Sequence, residues 1–319
     1  MNKIELLKIP KSSKILITGH VNPDGDALGS GLALKLVFNG LGYSSTIAYD
    51  FPVKISDELS FLPISNLTSY DSKSLANVFD VAIVFDCGDS KRLGSLENLV
   101  NNSKSIYVID HHLGQEFGSH QEVDSNAAST TQVLYRILYR EKIEINPVVA
   151  TCLLTGLITD TGRFQYPNTT EEVFDIASQL LKLGANLPLI TESIYGSVNH
   201  NALKLQAEII TRIVLIKEFN LSFSYVLNDD YVKYNTKQED TDFLIDVVRL
   251  PKESNVALLL KEQKDGIYKG SLRSRGEIDV QAIASSLGGG GHKAAAGFST
   301  NLKREDILVK VTDAIRLQS

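Results

Sequence analysis

An α/β protein of two domains is predicted: an N-terminal, mostly parallel sheet flanked by helices, followed by a second, smaller α/β domain. Three observations lead there. The chain has 319 residues, more than one small module needs, and length alone favours two domains. Its first two-thirds alternate short apolar runs with helical patterns, which is how a parallel sheet covered by helices is written in sequence. Its last third carries alternating, strand-like runs followed by two helical segments. The expected boundaries are 1–187 for the first domain, 188–214 for a helical connector and 215–319 for the second domain.

The elements follow in order. Residues 14–18, 45–49, 81–86 and 105–110 are predicted strands. Between the first two, residues 26–38 have helical spacing (Leu28, Leu32, Leu34, Val37) and stop at Asn39-Gly40, with Gly42 beyond, giving a βαβ unit. Asn146-Pro147 places a capping side chain and then proline at the first helical position, which opens a helix to about residue 158. Thr169 with Glu172 reads as a capping box opening another helix that ends near Gly184. Residues 188–214 read as mainly helical, with a break near 196–199. Residues 221–227, 256–261 and 267–275 alternate like strands, the last two joined by a hairpin-like turn at Lys264-Asp265-Gly266. Helices at 279–287 and 304–316 complete the chain, and no internal repeat is visible.

Composition excludes several classes. Hydrophobic residues at 43% and charged residues at 22% do not fit a disordered, collagen-like or coiled-coil chain. No run approaches the ~18 apolar residues of a membrane span, and residues 1–14 lack the charged head and apolar run of a signal peptide, so a cytoplasmic protein with no membrane partner is expected. Cys87 and Cys152 each sit in an apolar run and read as core, with no disulfide between them. The net charge of −6 does not by itself point to a polyanion binder. Acidic and basic residues balance from Lys217 onward, so the excess acid lies in the first two-thirds, where part of it is available for metal ions.

The most informative segment is Gly19-His20-Val21-Asn22-Pro23-Asp24-Gly25-Asp26. Pro-Asp-Gly is ordinary turn chemistry, and on its own the segment reads equally as a strand-to-helix loop. Its surroundings add weight. Asp86 ends one predicted strand, Asp110 ends another and is followed by His111-His112, and Asp160 closes the apolar helix from Pro147. In an open α/β sheet, ligand groups gather beyond the carboxyl ends of strands, which lets His20, Asp24, Asp26, Asp86, His111 and Asp160 converge. Four ionised carboxylates held together repel, and cations resolve the conflict. Mixed imidazole and carboxylate donors without thiolate suit Mn²⁺, with Mg²⁺, Co²⁺ or Fe²⁺ as alternatives. Two ions bridged by one carboxylate are the arrangement that activates water against a phosphoryl group. Cys87, beside Asp86, reads as core rather than as a thiolate ligand.

A second cluster lies near the C-terminus. Gly288-Gly289-Gly290-Gly291-His292-Lys293 reads either as a flexible linker or as a backbone cradle whose N–H groups receive a phosphate, with His292 and Lys293 adding charge. Arg273 and Arg275 share a strand face with Lys269 and Ser271. That stripe is either the wet side of a sheet or, together with the glycine run, a small basic pocket for a phosphate or a base.

The ordered set His20-Val21-Asn22-Pro23-Asp24-Gly25-Asp26, Asp86, Asp110-His111-His112 and Asp160 resembles the four motifs of the DHH phosphoesterase family. Gly288 to His292 with Ala295-Ala296-Gly297 resembles the DHH-associated C-terminal domain, so the likeness spans about the whole chain. By layout the chain is similar to the short bacterial nanoRNases of that family. The resemblance implies a site in the cleft between the two domains. It implies one Mn²⁺ on His20, Asp24 and Asp86 and a second on Asp26, Asp86, His111 and Asp160, with Asp86 as the bridge. His112 contacts the scissile phosphate and Asp110 orients its histidine neighbours. Arg273, Ser274 and the loop Gly289, Gly290, Gly291 and His292 grip the distal end of the substrate, with Arg275, Lys293 or Arg163 as further candidates. The implied activity is hydrolysis of short RNA (nanoRNA, pApA) to mononucleotides and of adenosine 3',5'-bisphosphate to AMP. The competing readings are a pyrophosphatase or exopolyphosphatase, and a non-catalytic nucleotide or RNA binder. The sequence leaves the choice between monomer and homodimer open.

Overall fold

A computed structural model describes residues 3–50, 53, 55–69, 78–112, 114, 117–263 and 266–318. The chain folds as two compact units, Met1–Ser197 and Val198–Ser319. The first is built on a six-stranded sheet in the order β3-β2-β1-β4-β5-β6. Its strands are β1 (Ile15–Gly19), β2 (Ser45–Tyr49), β3 (Leu67–Ser69), β4 (Val81–Phe85), β5 (Ser105–Asp110) and β6 (His120–Val123). Every pair is parallel, and consecutive residues point to opposite faces. Ile15, Ile17, Val81, Ile83 and Phe85 enter one apolar cluster, while Leu16, Ala82, Val84 and Val108 enter another. Both faces are covered, as an all-parallel sheet requires.

Helices α1 (Gly25–Leu41), α3 (Thr130–Arg140), α4 (Pro147–Asp160) and α5 (Glu171–Lys182) supply the first face, and the short α2 (Glu97–Asn101) supplies the second. The signals at Asn39-Gly40 and Gly42 and at Asn146-Pro147 do what their chemistry suggests. Gly42 adopts φ +79° behind α1, and the Asn146 side chain accepts from the N–H groups of Val148 and Val149 at 3.0 Å each.

The capping box at Thr169 and Glu172 does not form. The helix opens one residue later, with Thr170 as its cap residue and no side-chain cap bond. Glu172 is drawn instead to Arg136 on α3, which donates to both of its carboxylate oxygens. A bidentate charged pair is stronger than a reciprocal cap bond.

Beyond α5, α6 (Leu187–Thr191) runs into a π-helical turn (Glu192–Gly196). The 188–214 stretch divides between the units: α6 and the π turn belong to the first, α7 (His200–Thr211) and β7 (Val214–Ile216) to the second. The second unit holds a mixed sheet ordered β11-β12-β10-β9-β8-β7. Its remaining strands are β8 (Leu221–Val226), β9 (Val256–Glu262), β10 (Tyr268–Ser274), β11 (Gly290–His292) and β12 (Ala295–Thr300). Its other helices are α8 (Asn228–Lys233), α9 (Leu244–Val248), α10 (Val280–Ser286) and α11 (Arg304–Arg316). Leu258, Leu260 and Leu272 pack with α10 and α11 on one face, and Ala257 and Leu259 with α7 and α9 on the other. Lys264 and Asp265 of the expected hairpin turn lie outside the described residues.

The glycine run is not a tether. Gly290–His292 is the edge strand β11, paired antiparallel with β12 in the register Gly290↔Gly297, Gly291↔Ala296 and His292↔Ala295. At Gly289 a Cβ would stand 2.1 Å from the Gly297 carbonyl oxygen, so the chain passes there too closely for any side chain. Among the described residues no helix is long and apolar enough to cross a membrane.

Candidate active site

The strand order of the first unit reverses between β1 and β4, and parallel α/β sheets bind ligands at the carboxyl ends of strands at such a reversal. Both strands end there on a residue of interest. β1 delivers His20 and the turn into α1, and β4 delivers Asp86, whose φ of +54° is rare for a residue with a side chain. The neighbouring β5 ends on Asp110, followed by His111 and His112. α4 contributes Asp160 from its last turn.

Asp86 stands at the centre. Its Oδ2 lies 3.4 Å from His20 Nε2, and its Oδ1 lies 3.6 Å from His111 Nε2 and 3.1 Å from His112 Nδ1. On one side His20 Nε2 is 3.8 Å from Asp24 Oδ2. On the other, His111 Nε2 is 3.1 Å from Asp160 Oδ2 and 3.9 Å from Asp26 Oδ2. Donor atoms of His20, Asp24 and Asp86 lie within 4.8 Å of one another, as do those of Asp26, His111 and Asp160, and those of Asp86, Asp110 and His112.

The backbone presets the donors. His20 Nδ1 meets the Val21 carbonyl at 2.8 Å and His111 Nδ1 meets that of Ala127 at 3.2 Å. A carbonyl accepts only from N–H, so each Nδ1 carries the proton and each neutral ring offers Nε2 to a cation. Asp24 divides its carboxylate: Oδ1 caps α1 by accepting from Asp26 N and Ala27 N at 3.0 Å, while Oδ2 faces His20. Asp110 Oδ1 accepts from His111 N, His112 N and His112 Nδ1 at 2.7, 3.0 and 2.9 Å, so it holds the His112 ring in place. Two neutral imidazole donors, four carboxylates and no thiolate form a set that fits a pair of divalent ions. Cys87 is buried, donates to the Asp89 carbonyl and is pushed up to about 12 by burial, as a core thiol.

The charge balance of the ion-free side chains is consistent with that fit. Burial opposes charge on His20, but Asp24 and Asp86 outweigh it and lift the imidazole to about 10. Burial is likewise overcome at His112 by Asp110 and Asp86, to about 10, and at His111 by Asp160 and Asp26, to about 9. Burial would raise Asp86, yet His112 and His20 hold it well below the carboxylate range. Burial, with Asp160 and Asp86 close by, pushes Asp26 well above that range. Burial raises Asp160 to about 6, with His111 pulling the other way. Protons on the rings do the neutralising that divalent ions would otherwise do.

Three residues of this site carry no mark in the sequence reading. Thr130 N donates to Asp26 Oδ2 at 2.6 Å, Thr130 Oγ1 to Asp86 Oδ1 at 3.1 Å, and Thr131 N to Asp26 Oδ1 at 2.9 Å. The N-terminus of α3 thereby holds Asp26 between two backbone donors. Asn168 Nδ2 donates to the carbonyls of Asp160 at 3.1 Å and Ala128 at 3.3 Å, tying the end of α4 to the approach of α3. Ser129 followed by Gln132 has the spacing of a capping box and was the available signal for α3; Gln132 Oε1 accepts from Ala128 N at 2.6 Å. Nothing in the sequence singles out Asn168.

The remaining candidates are carried by other elements. Arg163 is exposed in the first unit at φ +64°, its guanidinium 4.6 Å from the Tyr195 ring centroid. In the second unit, half-buried Arg273 donates from Nη1 to the Leu272 carbonyl at 3.0 Å. Ser274 closes β10, and exposed Arg275 lies just past it with its N–H on the Asn255 carbonyl at 2.7 Å. Gly290, Gly291 and His292 make up β11 directly after Gly289, and Lys293 pairs with Glu277 at 3.4 Å.

Residues 14–157 match the DHH family, N-terminal domain, and residues 220–316 match the DHHA1 domain. Over 305 residues the chain is 31% identical to the bifunctional oligoribonuclease and PAP phosphatase NrnA of Thermus thermophilus, covering 95% of this chain and 89% of that relative. A probable bifunctional oligoribonuclease and PAP phosphatase NrnA of Streptococcus mutans is 27% identical, with 98% and 99% of the two chains covered. The crystal structure of an exopolyphosphatase-related protein from Bacteroides fragilis matches with a TM-score of 0.88 at 26% identity, covering 96% of this chain and 92% of the other.

Proposed function

The chain belongs to the DHH family of phosphoesterases, and on that premise we propose that it is a metal-dependent hydrolase of short oligoribonucleotides, nanoRNA and pApA among them, that also converts adenosine 3',5'-bisphosphate to AMP. The observation that carries the reading is the position of Asp86, one carboxylate between three histidines at 3.1 to 3.6 Å. A structural role needs no such convergence, whereas a two-metal phosphoesterase uses a carboxylate placed between its two cations.

His20, Asp24 and Asp86 would hold one ion, and Asp26, Asp86, His111 and Asp160 the second. Mn²⁺ suits these donors best, with Mg²⁺ or Co²⁺ as substitutes. When bound, the ions supply a water acidic enough to attack phosphorus near neutral pH and offset charge on the phosphoryl oxygens. The protein's own part is positioning. Asp110 fixes His112 through Nδ1, which leaves the Nε2 side of the ring to donate to a phosphoryl oxygen. Thr130 and Thr131 hold Asp26 in place, and Thr130 links it to Asp86. Hydrolysis adds water across phosphorus and the departing ribose oxygen, which leaves with a proton.

The second unit's Arg273, Ser274, Arg275 and the run Gly289, Gly290, Gly291 and His292 are proposed to take the terminal 5' phosphate, which limits cleavage to oligonucleotides of a few residues. The test is product analysis with purified protein and Mn²⁺ on pApA, a trinucleotide RNA, a long RNA, adenosine 3',5'-bisphosphate, pyrophosphate and polyphosphate in parallel, with the shortest RNAs favoured over the long one. AMP from pApA and from the bisphosphate is the expected result. Phosphate release from pyrophosphate or polyphosphate alone would replace this reading with the polyphosphatase one, and nucleotide binding without turnover would leave a non-catalytic binder.

A further inference from the structure

The loop that leaves the carboxyl end of β4 carries a cation that the catalytic reading does not use. Arg92 lies in that loop shortly beyond Asp86, and its carbonyl accepts from the N–H of Val21 at 2.7 Å. The loop is thereby bonded to the residue directly after His20. Its other groups are tied down as well. Arg92 N donates to the Asp89 carbonyl at 3.0 Å, Lys91 N to Asp89 Oδ1 at 2.9 Å and Ser95 N to Asp50 Oδ1 at 3.2 Å. Gly94 turns at φ +61° and ψ −133°, and a Cβ there would run into the Asp50 carboxylate and stand 2.7 Å from Val21 Cγ1. Glycine alone permits that approach, which seats the loop against the turn between β1 and α1. The Arg92 side chain, by contrast, is exposed and makes no hydrogen bond or ion pair among the described residues. A fixed backbone bearing an uncommitted guanidinium beside a charged site is arranged to receive an anion.

Charge and chemistry select that anion. Two divalent ions carry less charge than the five carboxylates that converge here, so an arriving phosphate brings negative charge that a further cation offsets. The buried Cys87 thiol, next to Asp86 in the chain, feels the positive charge of Arg92 as well as the negative charges of Asp110 and Asp86, which places the guanidinium within electrostatic reach of Asp86. In both reactions of the proposed function the bond broken joins phosphorus to the 3' oxygen of the 5'-terminal nucleotide. Water supplies the oxygen that phosphorus gains and the proton that the departing oxygen takes up. The two substrates differ at a single phosphoryl position. Adenosine 3',5'-bisphosphate has a terminal anionic oxygen there and a phosphate that is mostly dianionic at neutral pH, whereas pApA has the ester oxygen of the next nucleoside and one charge fewer. On the strength of that reading we propose that Arg92 binds this extra oxygen and is the residue that adapts a diester-cleaving site to a phosphate monoester. A guanidinium meets phosphate oxygens through parallel N–H groups, a fit that an uncharged, substituted ester oxygen does not offer.

The experiment compares wild type, Arg92→Gln, Arg92→Lys and the neighbouring Lys91→Gln. Steady-state kinetics are measured on adenosine 3',5'-bisphosphate and on pApA, and calorimetry follows the binding of inorganic phosphate and of Mn²⁺. Arg92→Gln is expected to lower kcat/KM for the bisphosphate ~10-fold or more relative to pApA, the scale of a hydrogen bond to a charged group, and to weaken inorganic phosphate by a similar factor. Arg92→Lys keeps the charge and should recover part of the loss, and Lys91→Gln should match the wild type. Mn²⁺ affinity should not fall in Arg92→Gln, because the change removes a cation from beside a cation site; a loosened Val21 turn would lower it. Equal losses on both substrates, unchanged phosphate binding or a fall in Mn²⁺ affinity overturns the proposal. A wild type that cleaves neither substrate overturns the function on which the proposal rests.

Discussion

Thr130 reaches Asp86 through a 3.1 Å hydrogen bond from its hydroxyl while its backbone N–H donates to Asp26 at 2.6 Å. One residue thus ties together the carboxylate shared by both proposed ion positions and a carboxylate belonging to only one. Thr130→Val keeps the shape and the N–H but removes the hydroxyl. The expected result is a folded protein with Mn²⁺ affinity lowered by ~10–100-fold, the usual cost of losing an outer partner of a ligand. Thr130→Ser should retain most of the affinity. Titration calorimetry with Mn²⁺ separates the two, and equal affinity in all three proteins would show that the hydroxyl bond does not position Asp86.

Removal of the ions themselves should be visible in stability. Five carboxylates and three histidines cluster here, and ions bound only by the folded state add stability as the logarithm of their concentration over their dissociation constant. At a hundredfold excess over that constant, Mn²⁺ should add about 2.7 kcal/mol. Thermal melts in EDTA and in graded Mn²⁺ measure this. Asp86→Asn should abolish the Mn²⁺-dependent rise and reduce turnover by more than the ~10–100-fold seen for outer partners.

Legibility in the sequence follows where the physics is local. Residues 45–49, 105–110 and 304–316 coincide with β2, β5 and α11 because apolar periodicity and flanking turn residues are written in the segment itself. The edge strands β3, β6, β7 and β11 span three or four residues each, too short for any period to show. Carboxylates at strand ends stand out for the same local reason. Thr130 and Thr131 do not, since their own backbone N–H groups act on the carboxylate of Asp26, far away in sequence, and Asn168 does not, since its side chain meets two backbone carbonyls that no pattern marks. The expected cap at Thr169 failed on a long-range effect: Arg136, 36 residues before Glu172, claimed its carboxylate.

His292→Ala separates chemistry from anchoring. If the β11 edge and Arg273 take the 5' phosphate, this change should raise KM for pApA while sparing the 5'-hydroxyl dinucleotide, with kcat nearly constant, the signature of lost uniform binding. Steady-state kinetics on the two dinucleotides decide it. Equal losses on both would remove the anchoring role.

In the second unit Glu208 accepts from Tyr234 Oη at 2.6 Å and Lys233 Nζ at 3.0 Å. Those two bonds, with Arg212 nearby, lower its carboxyl to about 2. A carboxylate depressed by folding adds stability above its unfolded value near ~4.3 and loses it as pH falls through the folded one. Glu208→Gln should therefore be less stable than wild type at pH 7, and the gap should narrow between pH values of about 4 and 2. Denaturant melts followed by circular dichroism in EDTA test this, and a gap that stays constant with pH would exclude a charge effect.

Gly156 on α4 faces Asp26, and a Cβ there would stand 2.5 Å from both Asp26 Oδ1 and Thr131 Cγ2. Neither neighbour can yield cheaply, because the Asp26 carboxylate is held by two backbone N–H groups. Gly156→Ala should then cost about 1–3 kcal/mol, the range for overpacking a filled interior, and should weaken Mn²⁺ binding by displacing Asp26. The gain in helix propensity from glycine to alanine, about 0.5–1 kcal/mol, is too small to compensate. Gly40 supplies the internal comparison: it also lies in a helix, with nothing within 4 Å of its hypothetical Cβ. There propensity acts alone, so Gly40→Ala should stabilise the protein and leave Mn²⁺ binding unchanged. Opposite signs in the two melts are the expected outcome, and a stabilising Gly156→Ala would mean that α4 can retreat from Asp26 without cost.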